Sequence, residues 1–307
     1  MRNPSRVVKV VRLRPEVDRY DLCPCGSGKK SKWCCFKNGE LIKPPARVSP
    51  RDPRVGHSNS RCYACHLNDC DERLTREHYI SEALLEAVGP DLMLAGLPWL
   101  KNRDGQRMNP GSVVAKILCD YHNRCLSPLD AAATRLFKAA KEHQAFVENK
   151  PMTSKTILVA GEDIEKWLLK VICGMVASRN VSHGGQPDPL LSVSADWVDI
   201  LFDNKPWPEG WGLYFYGAVG SSVAHDGHFR FRPYTSTDIK TMLGAEFDFS
   251  GFRFLLVLDM PKAALKDDFG GHVVFRPRRF VRRFEGEFHA IELSWLDRRY
   301  DKVITLE

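Results

Sequence analysis

Residues 116–130 read KILCDYHNRCLSPLD and contain the pair Cys119-x-x-His122, directly after a predicted strand at Val113–Leu118. A second pair, Cys62-x-x-Cys65, lies upstream, with 53 residues between the two pairs. Zinc prefers four sulfur or nitrogen ligands in a tetrahedron, and two such pairs can close one site that joins distant parts of a chain. We therefore predict a structural zinc ion on Cys62, Cys65, Cys119 and His122. Three neighbouring residues leave the exact ligand set open: His66, Cys70 and Cys125.

A further cluster of thiols lies nearer the N-terminus. Residues 23–36 read CPCGSGKKSKWCCF and hold four cysteines within thirteen residues, which favours a second zinc ion. Gly26 and Gly28 allow so short a chain to double back, and the lysines offset the charge of the thiolates. The segment resembles the SEC-C motif, first described at the C-terminus of the bacterial Sec translocase motor. That resemblance implies zinc on Cys23, Cys25, Cys34 and Cys35, in an accessory knuckle that contacts protein or nucleic acid.

An acid–histidine pair lies between the two halves of the Cys62–His122 site. Glu77 and His78 occur in LTREHYISEALL (74–85), and Asn123 directly follows the last predicted zinc ligand. Cleavage of a phosphodiester needs a base that activates water and a divalent metal that stabilises the departing oxygen. A neutral histidine can be that base near pH 7, and Mg²⁺ prefers carboxylate and amide oxygens. If zinc docks the Asn123 helix beside the Glu77–His78 strand, all three groups meet at one point.

The stretches 74–85 and 116–130 resemble the HNH nucleases, also called His-Me finger or ββα-metal nucleases, over about residues 61–180. The resemblance implies metal-dependent hydrolysis of phosphodiester bonds with His78 as general base. It also implies that Glu77 and Asn123 hold a catalytic Mg²⁺ or Mn²⁺ and that the Cys62–His122 site holds structural zinc. Trp167 and Lys170 match a helix that follows in a bacterial branch of this superfamily.

The chain departs from the commoner HNH pattern in three ways. Glu77 replaces Asp before the base, His122 replaces Cys, and the gap from His78 to Cys119 is long. The middle Asn of the HNH name, which orients the base, is either Asn102 or Asn109. Either Arg76 or Arg124 is expected to contact a phosphate.

Composition limits the class of protein. The chain has 307 residues, 43% apolar and 27% charged, as globular proteins do. No stretch approaches the ~20 apolar residues of a membrane helix, and the start lacks the apolar run of a signal peptide. We therefore expect a cytoplasmic protein without membrane contact, in which ten clustered cysteines indicate metal rather than disulfides.

Charge is unevenly spread along the chain. Residues 1–61 carry fifteen Lys or Arg against five Asp or Glu, a net charge of +10, whereas the remainder carries −3. A basic end suits a polyanion, so nucleic acid is the expected partner, DNA rather than RNA. Charge alone fits a solubilising tail equally well. The knuckle is also a candidate contact for a protein partner.

The predicted fold class is α+β, with an N-terminal zinc knuckle, a treble-clef or ββα-metal HNH domain, and a C-terminal helix plus antiparallel sheet. The predicted domains are a knuckle with a basic arm (1–39), a Pro-rich linker (40–60), an HNH-like domain (61–150) and a domain of unknown role (151–307). Helices are predicted over Ser81–Val88, from an N-cap at Ser127 through His143, and over 163–178. Short strands are predicted at 211–219, 228–234, 252–260, 272–281 and 288–295. The alternative function is a non-catalytic zinc adaptor that binds nucleic acid or a protein.

Overall fold

The fold comes from a computed structural model that describes residues 17–48, 56–88, 93–95, 106–107, 113–148, 153–183, 186–187, 191–216, 228–236, 240–262, 265, 273–296 and 303–305. The helices in these residues are α1 (Glu82–Val88), α2 (Asp120–Glu148), α3 (Gly161–Ala177) and α4 (Ala195–Phe202), with one-turn 3-10 helices at Ser31–Trp33 and Cys65–Leu67. The strands are β1 (Phe36–Lys37), β2 (Glu40–Leu41), β3 (Leu74–His78), β4 (Met93–Ala95), β5 (Gln106–Arg107), β6 (Val114–Cys119), β7 (Lys155–Ala160), β8 (Ser182–His183), β9 (Gln186–Pro187), β10 (Gly212–Tyr216), β11 (His228–Thr235), β12 (Met242–Phe249), β13 (Phe252–Val257), β14 (Val273–Phe275), β15 (Arg279–Phe284), β16 (Glu287–Ser294) and β17 (Val303–Thr305). None of the helices in these ranges is long and apolar enough to cross a membrane.

A strand–strand–helix unit positions the candidate site. β3 pairs antiparallel with β6, with Leu74 opposite Cys119 and His78 opposite Val114, and α2 starts at the residue after β6. The register shifts between Thr75 and Glu77, so β6 carries one residue more than β3 there. The predicted helix after Ser81 and the predicted strand before Cys119 are confirmed as α1 and β6.

The predicted start of the long helix was wrong. α2 begins at Asp120, seven residues before Ser127, and continues through Pro128. A proline inside a helix removes one backbone hydrogen bond and normally favours a boundary. Here the first turn contains His122 and follows Cys119, so side-chain contacts with Cys62 and Cys70 anchor it from outside the helix.

The C-terminal strands form two sheets. One has seven strands in the order β14-β10-β13-β12-β11-β4-β5, and the other has four in the order β17-β15-β16-β7. The predicted antiparallel pairing is confirmed for the central strands, but β4, β7 and β17 add in parallel. Such pairings join segments far apart in sequence. Strand spacing along the chain therefore does not predict them.

The helix predicted over 163–178 is confirmed as α3, which lies in the centre of the molecule. Nearly all its residues are buried, including the charged Glu165 and Lys170. Burial there is compatible with charge because both side chains form ion pairs, Glu165 with Arg276 and Lys170 with Glu77. One apolar core runs from Val48 through α2 and α3 to Trp295 and includes both predicted large domains, whose boundaries stay predictions.

Candidate metal centres and the adjoining strand

The N-terminal knuckle, residues 17–41, gathers four thiols. The sulfurs of Cys23, Cys25, Cys34 and Cys35 lie within 4.8 Å of one another. Cys25 and Cys34 are 3.5 Å apart, and Cys34 and Cys35 are 3.7 Å apart. A tetrahedral ion with Zn–S bonds of about 2.3 Å separates its sulfurs by about 3.8 Å, so the group fits zinc.

The turn between the first two ligands depends on glycine. Gly26 and Gly28 have φ values of 77° and 73°, the left-handed region that other residues rarely adopt. Burial alone raises the pKa of the Cys25 thiol, but hydrogen bonds from Ser27 and the neighbouring thiols outweigh burial and lower it to about 6. Cys25 is thus readily available as the thiolate that zinc binds.

The knuckle is fixed to the rest of the protein through α2 and β7. The amide of Leu158 donates to the carbonyl of Pro24 at 3.0 Å, and the Arg135 guanidinium donates to the same carbonyl. Arg135 also donates to the carbonyl of Leu158 at 3.3 Å. A side chain at Gly26 would overlap the guanidinium. The knuckle is therefore held in one place beside α2.

The second centre gathers three cysteines and a histidine, all buried: Cys62, Cys70, Cys119 and His122. The Nδ1 atom of His122 lies 3.1 Å from the sulfur of Cys119, 3.6 Å from that of Cys62 and 3.8 Å from that of Cys70. Around tetrahedral zinc the expected sulfur–nitrogen separation is about 3.5 Å. Hydrogen bonds from Cys62 and His122 lower the pKa of the Cys119 thiol to about 3, although burial opposes them.

The fourth ligand differs from the predicted set and requires a correction. Cys65 lies outside the group and starts the 3-10 helix Cys65–Leu67, where its thiol is half-buried. The chain then reverses at Asn68, whose φ of 59° is left-handed, and returns to place Cys70 against His122. His66 pairs instead with Asp199, and the Cys125 thiol donates to the carbonyl of Tyr121.

A carboxylate completes this centre, and sequence reasoning missed it. The Nε2 atom of His122 lies 2.9 Å from a carboxylate oxygen of Asp69, whose charge favours the tautomer with its proton on Nε2 and leaves Nδ1 free to bind zinc. Zinc-bound histidines commonly have such a partner, which fixes the tautomer and raises ligand basicity. The signal available in sequence was an acid directly before the ligand Cys70.

Glu77 faces inward from β3 into a buried ion-pair network. Its carboxylate lies 2.7 Å from the ammonium of Lys170, which also contacts Asp130 at 2.7 Å. Burial raises the pKa of Glu77 more than Lys170 lowers it, and the two carboxylates hold the pKa of Lys170 above its usual value despite burial. The ammonium fills the position between the carboxylates that a divalent ion would otherwise occupy.

His78 follows on the opposite face of β3. Its side chain is 23% exposed, and its Nδ1 lies 3.9 Å from the carboxylate of Glu82. Burial lowers the pKa of His78 and outweighs Glu82, which raises it. The imidazole is therefore mostly neutral at pH 7. Arg76 shares this face because side chains alternate along a strand, and Arg76 and Lys116 are both exposed on the two-stranded β3–β6 sheet.

Asn123 and Arg124 lie in the first turns of α2. The amide of Asn123 donates to the hydroxyl of Thr75 at 2.9 Å, which ties α2 to β3. Thr75 is three residues from His78, about 10 Å along an extended strand. Arg124 pairs with Asp120 and Asp71. The structure thus brings β3 and α2 together as expected, but the side chains of Glu77, His78 and Asn123 have separate partners.

A cleft of about 670 Å³ follows the surface of α2. Its lining includes Ala83 of α1, Asp130 of α2 and Arg135, which donates to the knuckle. Lys138 and Lys155 are the other cations that line it. The cleft therefore lies next to the side chain that holds the knuckle.

One segment of the chain is similar to SecA. Over 31 residues the chain is 68% identical to the protein translocase subunit SecA of Treponema denticola, a match that covers 10% of this chain and 3% of that protein. Together with the four-thiol group it supports the SEC-C resemblance and zinc binding. No protein-family profile matches the chain, and no solved structure does. The HNH resemblance therefore stays a prediction.

Two predicted features lie outside the described residues. The first is the middle Asn of the HNH pattern, for which Asn102 and Asn109 are the candidates. The second is the basic arm over residues 1–16.

Proposed function

We propose that this chain is a zinc-stabilised, metal-dependent nuclease that hydrolyses phosphodiester bonds in DNA, with His78 as general base. One observation carries the proposal. A partly exposed histidine lies on the first strand of a strand–strand–helix unit whose second strand and helix meet at a zinc-type centre. We further propose that the protein acts in the cytoplasm, where free thiols persist.

The chemistry follows from what surrounds His78. A neutral imidazole can accept the proton of a water that attacks phosphorus, and its lowered pKa keeps it in that form at neutral pH. Arg76, on the same face of β3 as His78, is suited to bind a phosphate. Lys116 adds a second cation on the paired strand β6. Contacts to phosphates predict binding that weakens steeply with salt and has little sequence preference.

The residues predicted to hold a catalytic ion do not form an ion site in this structure. Mg²⁺ or Mn²⁺ would supply charge stabilisation at the phosphate, with Glu77 and Asn123 as the first candidate ligands. In the present geometry the oxygens of Glu77 and Asn123 do not converge, because Glu77 pairs with Lys170 and Asn123 with Thr75. An ion on Glu77 would also lie close to the Lys170 ammonium. His78 is therefore the residue on which we base the test.

The test is nicking of supercoiled plasmid in Mg²⁺ or Mn²⁺ by the wild type and by His78→Ala at matched zinc content. We expect cleavage by the wild type and a rate at least ~10²-fold lower for the variant, as for loss of a general base. Equal cleavage by both proteins would contradict the proposal. If neither cuts DNA, the same pair is tested on RNA.

A zinc adaptor that binds nucleic acid or protein is the second candidate. It is favoured by the Glu77–Lys170 pair, which is a stabilising arrangement rather than an open metal site. The adaptor predicts that neither DNA nor RNA is cut and that His78→Ala binds its partner as the wild type does. Zinc would still be required for folding.

A further inference from the structure

The most exposed aromatic side chains of the described residues lie together on the N-terminal knuckle. Trp33 is 73% exposed and Tyr20 is 55% exposed, with Leu22, at 70%, beside them in the chain. Elsewhere in the described ranges, the exposed large apolar side chains are Phe284 at 48% and Leu296 at 54%. A cluster of apolar rings exposed to water is energetically unfavourable, and on a folded protein it commonly marks a binding surface.

Cations are interleaved with the two rings. The ammonium of Lys32 lies 4.3 Å from the centre of the Tyr20 ring and 4.9 Å from that of Trp33, so the ring centres are no more than about 9 Å apart. The guanidinium of Arg19 lies 5.2 Å from the Tyr20 ring. The surface therefore alternates ring, cation and ring.

Backbone hydrogen bonds hold this arrangement in place. The amide of Lys32 donates to the carbonyl of Arg19 at 2.9 Å, and that of Ser31 donates to Asp21 at 2.8 Å. The amide of Tyr20 donates to the carboxylate of Asp18 at 2.7 Å. Trp33 directly precedes the ligand Cys34. Zinc would thus fix both rings before any partner arrives, which lowers the ordering cost of binding.

We propose that Tyr20, Lys32 and Trp33 form a platform for single-stranded nucleic acid. Neighbouring unpaired bases stack on the two rings, and Lys32 and Arg19 contact the phosphates between them. Stacking on aromatic rings beside cations is how proteins bind single strands without reading sequence. The proposal rests on the proposed function for its ligand class, nucleic acid, and adds that the knuckle holds a single-stranded segment of it.

Charge favours a polyanion over a protein partner on this face. The segments 18–21 and 29–33 hold four cations against two carboxylates, and both carboxylates accept backbone amides. Residues 1–16, which precede them, add five cations and one acid in sequence.

The knuckle lies next to the α2 cleft. Arg135 donates to the knuckle carbonyl of Pro24 and also lines the cleft, where Lys138 and Lys155 add two more cations. A strand that leaves the knuckle over this cleft would place its phosphates beside cations.

The test measures binding of a fluorescent 15-mer oligo(dT) by anisotropy, with zinc-loaded full-length protein and no added divalent ion, so that binding is read without cleavage. We expect Trp33→Ala and Tyr20→Ala each to weaken binding roughly 5- to 150-fold, the range for one stacked base. Trp33→Phe keeps a ring and should retain most of the affinity. Phe284→Ala removes an exposed ring outside the knuckle and should leave oligo(dT) binding unchanged.

A 15-bp duplex provides the comparison that separates stacking from general attraction to phosphate. The ring substitutions should leave duplex binding within about twofold, because paired bases offer no free faces. Unchanged oligo(dT) binding in both alanine variants would overturn the proposal and favour a protein partner for this face. Equal losses on single strand and duplex would overturn it too. If the wild type cuts nothing but the ring variants lose oligo(dT), the nuclease proposal fails and this one stands.

Discussion

Replacing Cys70 by serine should empty the second zinc centre, whereas replacing Cys65 should not. The Cys70 sulfur lies 3.8 Å from Nδ1 of His122 in a fully buried group, and the Cys65 thiol is half-buried outside it. Structural zinc contributes about 10–16 kcal/mol of apparent binding free energy. If the four ligands contribute equally to this binding free energy, each contributes about 2.5–4 kcal/mol. The loss of one ligand in Cys70→Ser should therefore lower the zinc affinity of the centre roughly 10²- to 10³-fold. Cys65→Ser should change stability by about 1 kcal/mol or less.

The assay is total zinc by elemental analysis, followed by zinc release to a chromogenic chelator in native buffer. The wild type and Cys65→Ser should hold about two zinc ions per chain, and Cys70→Ser about one, retained by the N-terminal knuckle. The opposite outcome, in which Cys65→Ser loses zinc and Cys70→Ser keeps it, would refute the ligand set. Finding no zinc in the folded wild type would refute both centres.

Other consequences of the structure can be measured separately. Asp69→Asn removes the charged partner of the His122 ring and should weaken zinc binding at this centre about 10- to 100-fold by chelator competition, with an unchanged knuckle. Lys170→Met leaves two carboxylates without their counter-charge and should lower the free energy of unfolding in urea by about 3–5 kcal/mol. The double variant with Glu77→Gln should recover part of that loss, and no recovery would contradict the ion-pair network. Burial lowers the pKa of His143, which faces His289 at 3.0 Å, to about 2. As the pH is lowered, the unfolded chain therefore takes up a proton at this residue before the folded protein does. Below pH 6.5 the free energy of unfolding should decrease by about 1.4 kcal/mol per pH unit because of this residue, at constant zinc content. A urea midpoint that does not change between pH 6.5 and 5 would contradict this.

The predictable parts of the fold are those with local signals. The Cys-x-Cys-Gly-Ser-Gly segment needs only glycines that tolerate positive φ and four thiols in reach, and its cluster has the predicted ligands. The apolar spacing of Ile164, Trp167 and Val171 likewise predicts α3. In both cases the residues that determine the structure lie within about twenty positions of one another.

The parts that were missed depend on contacts between distant residues. The spacing predicted Cys65 as a ligand and left Cys70 as an alternative, and the structure selects Cys70 through its approach to Cys119 and His122, which lie far along the chain. The partner of Glu77 is Lys170, 93 residues away, so the pair on β3 looks like a metal ligand in sequence and forms a buried ion pair in the structure. Likewise, the role of Asp69 becomes visible only when the orientation of the His122 ring is known.

The most direct test of a general base at position 78 is chemical rescue. His78→Gly should cut supercoiled plasmid at least ~10²-fold more slowly than the wild type, and added imidazole should restore the rate in proportion to its neutral form. In the wild type the acid limb of the rate should have its midpoint below pH 6.5, because burial lowers the pKa of His78. A His78→Gly protein with normal zinc content that imidazole does not rescue, or that cuts as fast as the wild type, would contradict the assignment.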